Sequence, residues 1–197
     1  MTDILAVDVA LLVPDSMQAW CRRMNQALLK GEPSGFRFDD THLPHLTLVQ
    51  QFIAKEELEQ FGHRVGSLLE GQAPIRVIGI GGERGGSSLR VEATPELQRL
   101  HEEIVRLSKP FARPEGAITA FFGNDTPTRE ADLSWARHYH ARASLEHFEP
   151  HVTLGVGNNS LEIEPLEFIA DRVGICQLGR FGTCRKVLHH WTLKERA

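Results

Sequence analysis

The pentapeptide Pro44-His45-Leu46-Thr47-Leu48 returns as Pro150-His151-Val152-Thr153-Leu154, about half the chain later. Pro and His each occur only 10 times in 197 residues. By composition a second match has odds on the order of a few in a thousand, so the pair reads as two related lobes. On a strand alternate side chains share a face, so His45 points with Thr47 and His151 with Thr153, while the apolar residues between them point the other way. Each lobe then offers an imidazole and a hydroxyl on a rigid, apolar-backed element. Two such sets facing one cleft suit in-line displacement at phosphorus. One imidazole takes a proton from the nucleophile, the other gives one to the departing oxygen, and the hydroxyls donate to the non-bridging oxygens. Histidine fits because its ordinary pKa lies near neutrality, so one ring can be neutral while its partner is charged. Either histidine alone would read more simply as a satisfied strand residue; the duplication, with both threonines, is what points to chemistry.

Other chemistry-bearing residues carry weaker signals. His42 with His45, and His147 with His151, have spacings that hold a metal on a helix, but the second member of each falls on a strand and no matching Cys or carboxylate set accompanies them, so no metal is expected. The glycine-rich run Gly79 to Gly86 lacks the Gly-Lys-Ser/Thr ending of a phosphate loop and precedes a strand, so it reads as a hairpin turn, with Arg84 left as a residue that could touch phosphate. His63, His101, His138 and His140 fall on expected helices and read as solvated. His189 shares the parity of Val187, Trp191 and Leu193 and reads as core. Phe52, Phe121, Phe122, Phe148 and Trp191 are the aromatic candidates for a stacking platform, and Arg84, Arg90, Arg113, Arg129 and Arg185 for a phosphate clamp; the sequence does not choose among them.

The elements that must position the motifs follow from pattern and punctuation. Ile4 to Val13 reads as a buried strand ending at Pro14. A helix follows, with Asp15 or Ser16 as its cap, apolar residues from Met17 to Leu28 at helical spacing, and Gly31 as its stop. Leu43 to Ile53 is a second strand and Lys55 to Leu69 a helix. Ile75 to Ile80 and Ser88 to Ala93 form a hairpin. Thr94-Pro95-Glu96 opens a helix with proline in its first position. Gly116 to Thr128 has no clear pattern, Glu130 to Leu145 reads as a helix, and strands are expected at Glu149 to Val156, Asp171 to Leu178 and Lys186 to Leu193. This succession indicates α+β with largely antiparallel sheet. No linker long enough to separate independent domains is visible, so residues 1–197 read as a single two-lobed domain with one motif per lobe.

Composition narrows the partners. With 41% hydrophobic and 24% charged residues, the chain is neither disordered nor membrane-spanning in character. A net charge of −4 argues against charge-driven coating of duplex DNA, while leaving room for a pocket that grips one or two phosphates. The three cysteines, Cys21, Cys176 and Cys184, form no CxxC and read as reduced thiols of a cytoplasmic protein. No signal peptide is expected from the N-terminal residues.

The repeated His-x-Thr-Leu tetrapeptides, with "HLPHLTLVQQF" and "FEPHVTLGVG" around them, resemble the two-histidine phosphoesterase superfamily, most closely its 2'-5' RNA ligase and RNA 2',3'-cyclic phosphodiesterase branch. The resemblance covers essentially the whole chain. It implies a bilobal, pseudo-twofold α+β fold with two antiparallel sheets lining a central groove and helices outside. It implies hydrolysis of 2',3'-cyclic phosphates on RNA ends or small nucleotides to a 2'-phosphate without a cofactor, and some members also join or cleave 2'-5' linkages weakly. Carried over residue by residue, it makes His45 and His151 catalytic, with His45 the acid and His151 the base, and gives Thr47 and Thr153 to the phosphate; the pseudosymmetry leaves the order of acid and base reversible. The expected partner is RNA or a cyclic nucleotide, with no membrane, and the expected state a monomer. Alternatives are a phosphodiesterase of 2'-5' oligonucleotides or of ADP-ribose cyclic phosphate and, in a different class, a noncatalytic RNA-binding module. The retention of both imidazoles argues against the last.

Overall fold

The structure, a computed structural model, describes residues 3–30, 35–82, 87–123, 130–156 and 161–195. Strand β1, Ile4–Leu12, is buried over all but its first two residues. A strand covered on both faces must lie inside a sheet, and its run of Val, Leu and Ala is what such a position demands. Helix α1, Asp15–Leu28, follows directly. Its N-cap is Pro14, and no side chain caps it; the expected cap Asp15 instead sits in the first turn, where a carboxylate complements the helix dipole, and pairs with Arg172 at 2.8 Å. Gly31, expected to stop this helix, lies outside the described residues. Strand β2, His45–Ala54, carries the first motif, and a 3-10 turn leads from it into α2, Leu58–Leu69.

The expected hairpin is present as β3, Ile75–Gly82, and β4, Ser88–Val91, with Gly79 paired to Val91 and Gly82 to Leu89. Its turn residues 83–86, Arg84 among them, fall outside the described residues. Helix α3, Pro95–Ser108, starts as the sequence indicates: Thr94 Oγ1 accepts from Leu97 N at 3.3 Å. Helix α4, Glu130–Arg142, stops short of Leu145, whose φ of +58° is incompatible with a continuing helix.

The second motif lies on β5, only His151–Thr153, shorter than the expected strand from Glu149 to Val156. Pro150 has no N–H to pair, and beyond Thr153 the amides of Leu154 and Gly155 both turn to the Ser87 carbonyl. Then come β6, Leu166–Ala170, β7, Arg172–Leu178, and β8, Cys184–Thr192. Strand β6 is absent from the sequence expectation. It is a five-residue edge strand with Glu167 and Ile169 exposed, too short and too mixed to show a period.

Among the described residues the eight strands form one antiparallel sheet in the order β6-β3-β4-β5-β2-β1-β7-β8. The expectation of two separate sheets is therefore replaced by one continuous sheet, four strands on each side of the β2–β5 junction, and that junction is a single register pair, Leu46 with Val152. One face of the sheet packs Val7, Val9, Leu46 and Leu48 with Leu28 of α1, Phe61 and Val65 of α2 and Leu97, Leu100 and Ile104 of α3 in the main core. Two glycines on α2 admit rings from β8: a Cβ on Gly62 would lie 3.2 Å from the His189 ring and one on Gly66 2.7 Å from Trp191 Nε1. His189, expected in the core, is half-buried against Gly62 with its Nε2 3.5 Å from Glu59 Oε1. The other face holds the motifs.

Asn25 ties the fold to the second motif. Its Nδ2 donates to the carbonyls of Phe36 (3.0 Å) and Leu154 (2.9 Å), and its Oδ1 accepts from Phe38 N (3.1 Å). The side chain is buried, so Asn25→Ala strands three main-chain groups away from water and should cost about 2–3 kcal/mol. Urea unfolding of the variant checks this, with a midpoint shift at unchanged slope as the expected result.

Candidate active site

Register alone brings the four motif side chains together. With Leu46 opposite Val152 in an antiparallel pair, His45 stands opposite Thr153 and Thr47 opposite His151, all on one face. The two histidines are then diagonal neighbours, about 7–8 Å apart in a regular ladder. All four side chains line one cavity of about 660 Å³, walled by α4 and by the segment joining β7 to β8.

The two motifs are built alike. Val13 N donates to the Pro44 carbonyl at 3.1 Å and Val91 N to the Pro150 carbonyl at 2.9 Å, so each proline joins the neighbouring strand through the only backbone group it can offer. The residue before a proline is held extended, and in both repeats its carbonyl meets the histidine two places on: His45 Nδ1 lies 2.8 Å from Leu43 O and His151 Nδ1 2.9 Å from Glu149 O. A carbonyl only accepts, so each Nδ1 carries its hydrogen.

Asp8 breaks the symmetry. It is fully buried on β1, and its Oδ2 accepts from Thr47 Oγ1 (2.7 Å) and Gln50 Nε2 (2.7 Å) and lies 3.4 Å from His45 Nε2. A register shift between Val9 and Ala10 against β2 is what lets Thr47 and Gln50, three residues apart, both reach it. Burial alone would lower the His45 pKa, but Asp8, with the carbonyls of Leu43 and Gly182, raises it above the usual imidazole value. Beside His151 the flanking strand β4 instead places Arg90, with Ser88 opposite Thr153.

Asp8, His45 and Cys184 have ligand atoms within 4.8 Å of one another. The Asp8 carboxylate of this cluster is already engaged by Thr47 and Gln50, and burial, with Cys176 and Asp8 nearby, holds the Cys184 thiol well above its ordinary pKa. His42 turns to Asp39 (3.1 Å), and His147 is exposed at the cavity that His151 lines.

Of the aromatic candidates, Phe121 and Phe148 line the cavity, Phe52 is buried behind Phe121, Phe122 lies under Arg185 and Trp191 sits on the opposite face against α2. Of the arginines, Arg113 pairs with Glu57, Arg185 donates to the Thr41 carbonyl at 2.7 Å, and Arg84 and Arg129 lie outside the described residues. Sequence reasoning missed Asp8, Gln50, Arg142 and Phe181. Phe181 lines the cavity with φ +63°, its N–H donating to buried Asp132 at 3.0 Å. The available signal for Asp8 was a lone acid inside a fully apolar strand, since a buried charge requires partners.

The expectation that the helical histidines are solvated fails at His101, which is fully buried, and at His140, which bonds Gln51 Oε1 at 2.8 Å. His63 is exposed, and His138 is half-buried with its Nδ1 on the Ser134 carbonyl of its own helix.

Among the described residues no helix is long and apolar enough to cross a membrane. No curated protein matches the chain in sequence. In fold it is similar to TT0787 of Thermus thermophilus, at 19% identity and a TM-score of 0.58 over 98% of this chain and 100% of that one. It is also similar to E. coli LigT, at 15% identity and 0.56 over 98% and 100% for the apo form, and 0.57 over 98% and 99% for the 3'-AMP complex, again at 15% identity. Identities this low speak to fold alone. The sequence model of the 2'-5' RNA ligase superfamily, however, matches residues 13–174, a span that takes in both repeated pentapeptides, and the chain belongs to that superfamily.

Proposed function

We propose that the chain is a phosphodiesterase that opens 2',3'-cyclic phosphates on RNA ends or small nucleotides and leaves the monoester on O2'. The observation that carries this reading is the meeting of His45, Thr47, His151 and Thr153, from two repeats, in one cavity. His151, with Nδ1 turned to the Glu149 carbonyl, keeps the Nε2 lone pair for a water proton. The water oxygen bonds to phosphorus, the P–O3' bond breaks, and the proton on His45 Nε2 passes to O3'. The threonine hydroxyls stabilise the charge that builds on the non-bridging oxygens. Thr47 must turn its one proton from Asp8 to do so, and the His45 Nε2 proton likewise leaves that carboxylate for O3', so Gln50 is the donor that stays on it. LigT, of the same fold, is known with 3'-AMP, which supports an occupant of nucleotide size.

The step needs no metal, because both proton transfers belong to imidazoles. Turnover of 2',3'-cyclic nucleotides should therefore persist in excess EDTA, assayed beside 2'-5' dinucleotides, ADP-ribose cyclic phosphate and cyclic-phosphate-ended RNA. Loss of activity on chelation, with recovery on adding zinc or magnesium, would overturn the metal-free mechanism. Turnover confined to 2'-5' linkages or ADP-ribose cyclic phosphate would move the substrate assignment.

A further inference from the structure

We propose that Asp8 is a positioning residue for His45: from β1, beneath the first motif, its carboxylate fixes the His45 ring and the Thr47 hydroxyl in the groove and makes His45 the proton donor of the pair. Both nitrogens of His45 face acceptors, Nδ1 the Leu43 carbonyl at 2.8 Å and Nε2 the Asp8 carboxylate at 3.4 Å, and only the doubly protonated ring can donate to both. His151 has the same carbonyl contact, and its register partner on β4 is Arg90. The two motifs are therefore alike in sequence, but the first sets a buried carboxylate beside its imidazole, and this makes His45 the acid where pseudosymmetry leaves the order open.

The other groups around His45 do not replace Asp8. Thr47 and Gln50 from β2 are neutral, and the Gly182 carbonyl before β8 adds a weaker acceptor. The Cys184 thiol from β8 and the Tyr139 phenol from α4 are kept protonated by burial, with Asp8 adding to the effect. Asp132 of α4 is turned to Phe181 N, and His151 stands across the groove.

For the use to which the proton is put, the inference rests on the proposed reaction; the protonation of His45 itself is a property of the resting protein. Imidazole titrations by 15N–1H NMR on the wild type and Asp8→Asn test it without substrate. In the wild type His45 should hold its proton to higher pH than an ordinary imidazole. In Asp8→Asn its midpoint should fall, because the carboxylate that raises it is gone. The basic limb of the kcat/KM–pH profile should move down by the same interval, with the acidic limb unmoved, a split that mere loosening of the fold would not produce. If Asp8→Asn does not fold, the wild type decides: a His45 midpoint at or below that of an ordinary imidazole overturns the inference. So does an unmoved His45 midpoint in a folded variant. Expected titrations with no cyclic-phosphate turnover would overturn the proposed reaction and leave Asp8 in its role.

Discussion

His151→Ala lowers kcat on 2',3'-cyclic nucleotides by about 10²–10⁴-fold, and His45→Ala does the same, with KM little changed, because each deletes one proton transfer from the transition state. The two variants should differ in stability. His151 is exposed, and its ring contributes one bond to the Glu149 carbonyl, so its removal should leave the melting temperature within a few degrees. His45 is packed against buried Asp8, which loses a cationic partner and keeps only Thr47 and Gln50, so His45→Ala should also destabilise. Steady-state kinetics with thermal melts separates the effects. The double variant should be scarcely slower than either single one, since the two rings act in one step. Unaltered turnover in a folded single variant contradicts the assignment.

Stability falls as pH drops from about 6.5 towards 4, and His101 accounts for about 3 kcal/mol of the loss. Its Nδ1 donates to the Leu48 carbonyl at 2.7 Å, its Nε2 accepts from Leu145 N at 2.8 Å, and the ring stacks on Phe148 at 3.8 Å. Burial depresses its pKa to about 4, against which the Leu48 carbonyl and Glu102 pull only partly. A base whose folded pKa lies below its unfolded one contributes its full stability above pH 6.5, and that contribution is lost as pH falls through the folded value. Charging the ring forfeits the Leu145 bond, which holds that residue at positive φ at the head of the segment leading to His151, while Leu48 belongs to the first motif. His101 therefore braces both repeats from behind. Urea unfolding from pH 7.5 to 4 should show the decline, and His101→Gln should start less stable and decline more shallowly over that interval. A slope unaltered by the substitution would remove His101 from this role.

What the sequence made legible was local and repeated. The pentapeptide pair, the apolar β1, the hairpin before α3 and the Thr94-Pro95 start of that helix all rest on neighbours in the chain, and each is present. What escaped depends on partners far away. Asp8 acquires meaning only when β1 is laid beside β2 with a shifted register, and His101 looks solvated until α3 turns it towards Leu48. β6 gains its pairing from β3, about ninety residues earlier. The expectation of two sheets gave way to one for a similar reason: a single Leu46–Val152 pair joins the halves, and no local pattern announces it.

Whether two imidazoles in one groove open a cyclic phosphate by proton transfer can be read from phosphorus NMR of 2',3'-cyclic AMP incubated with the protein in excess EDTA. The cyclic resonance should give way to that of the 2'-monophosphate, with no such conversion by His45→Ala or His151→Ala on the same timescale. A dominant 3'-monophosphate would reverse the pose of the ribose relative to His45, and a cyclic resonance left intact by the folded wild-type protein would refute the reaction itself.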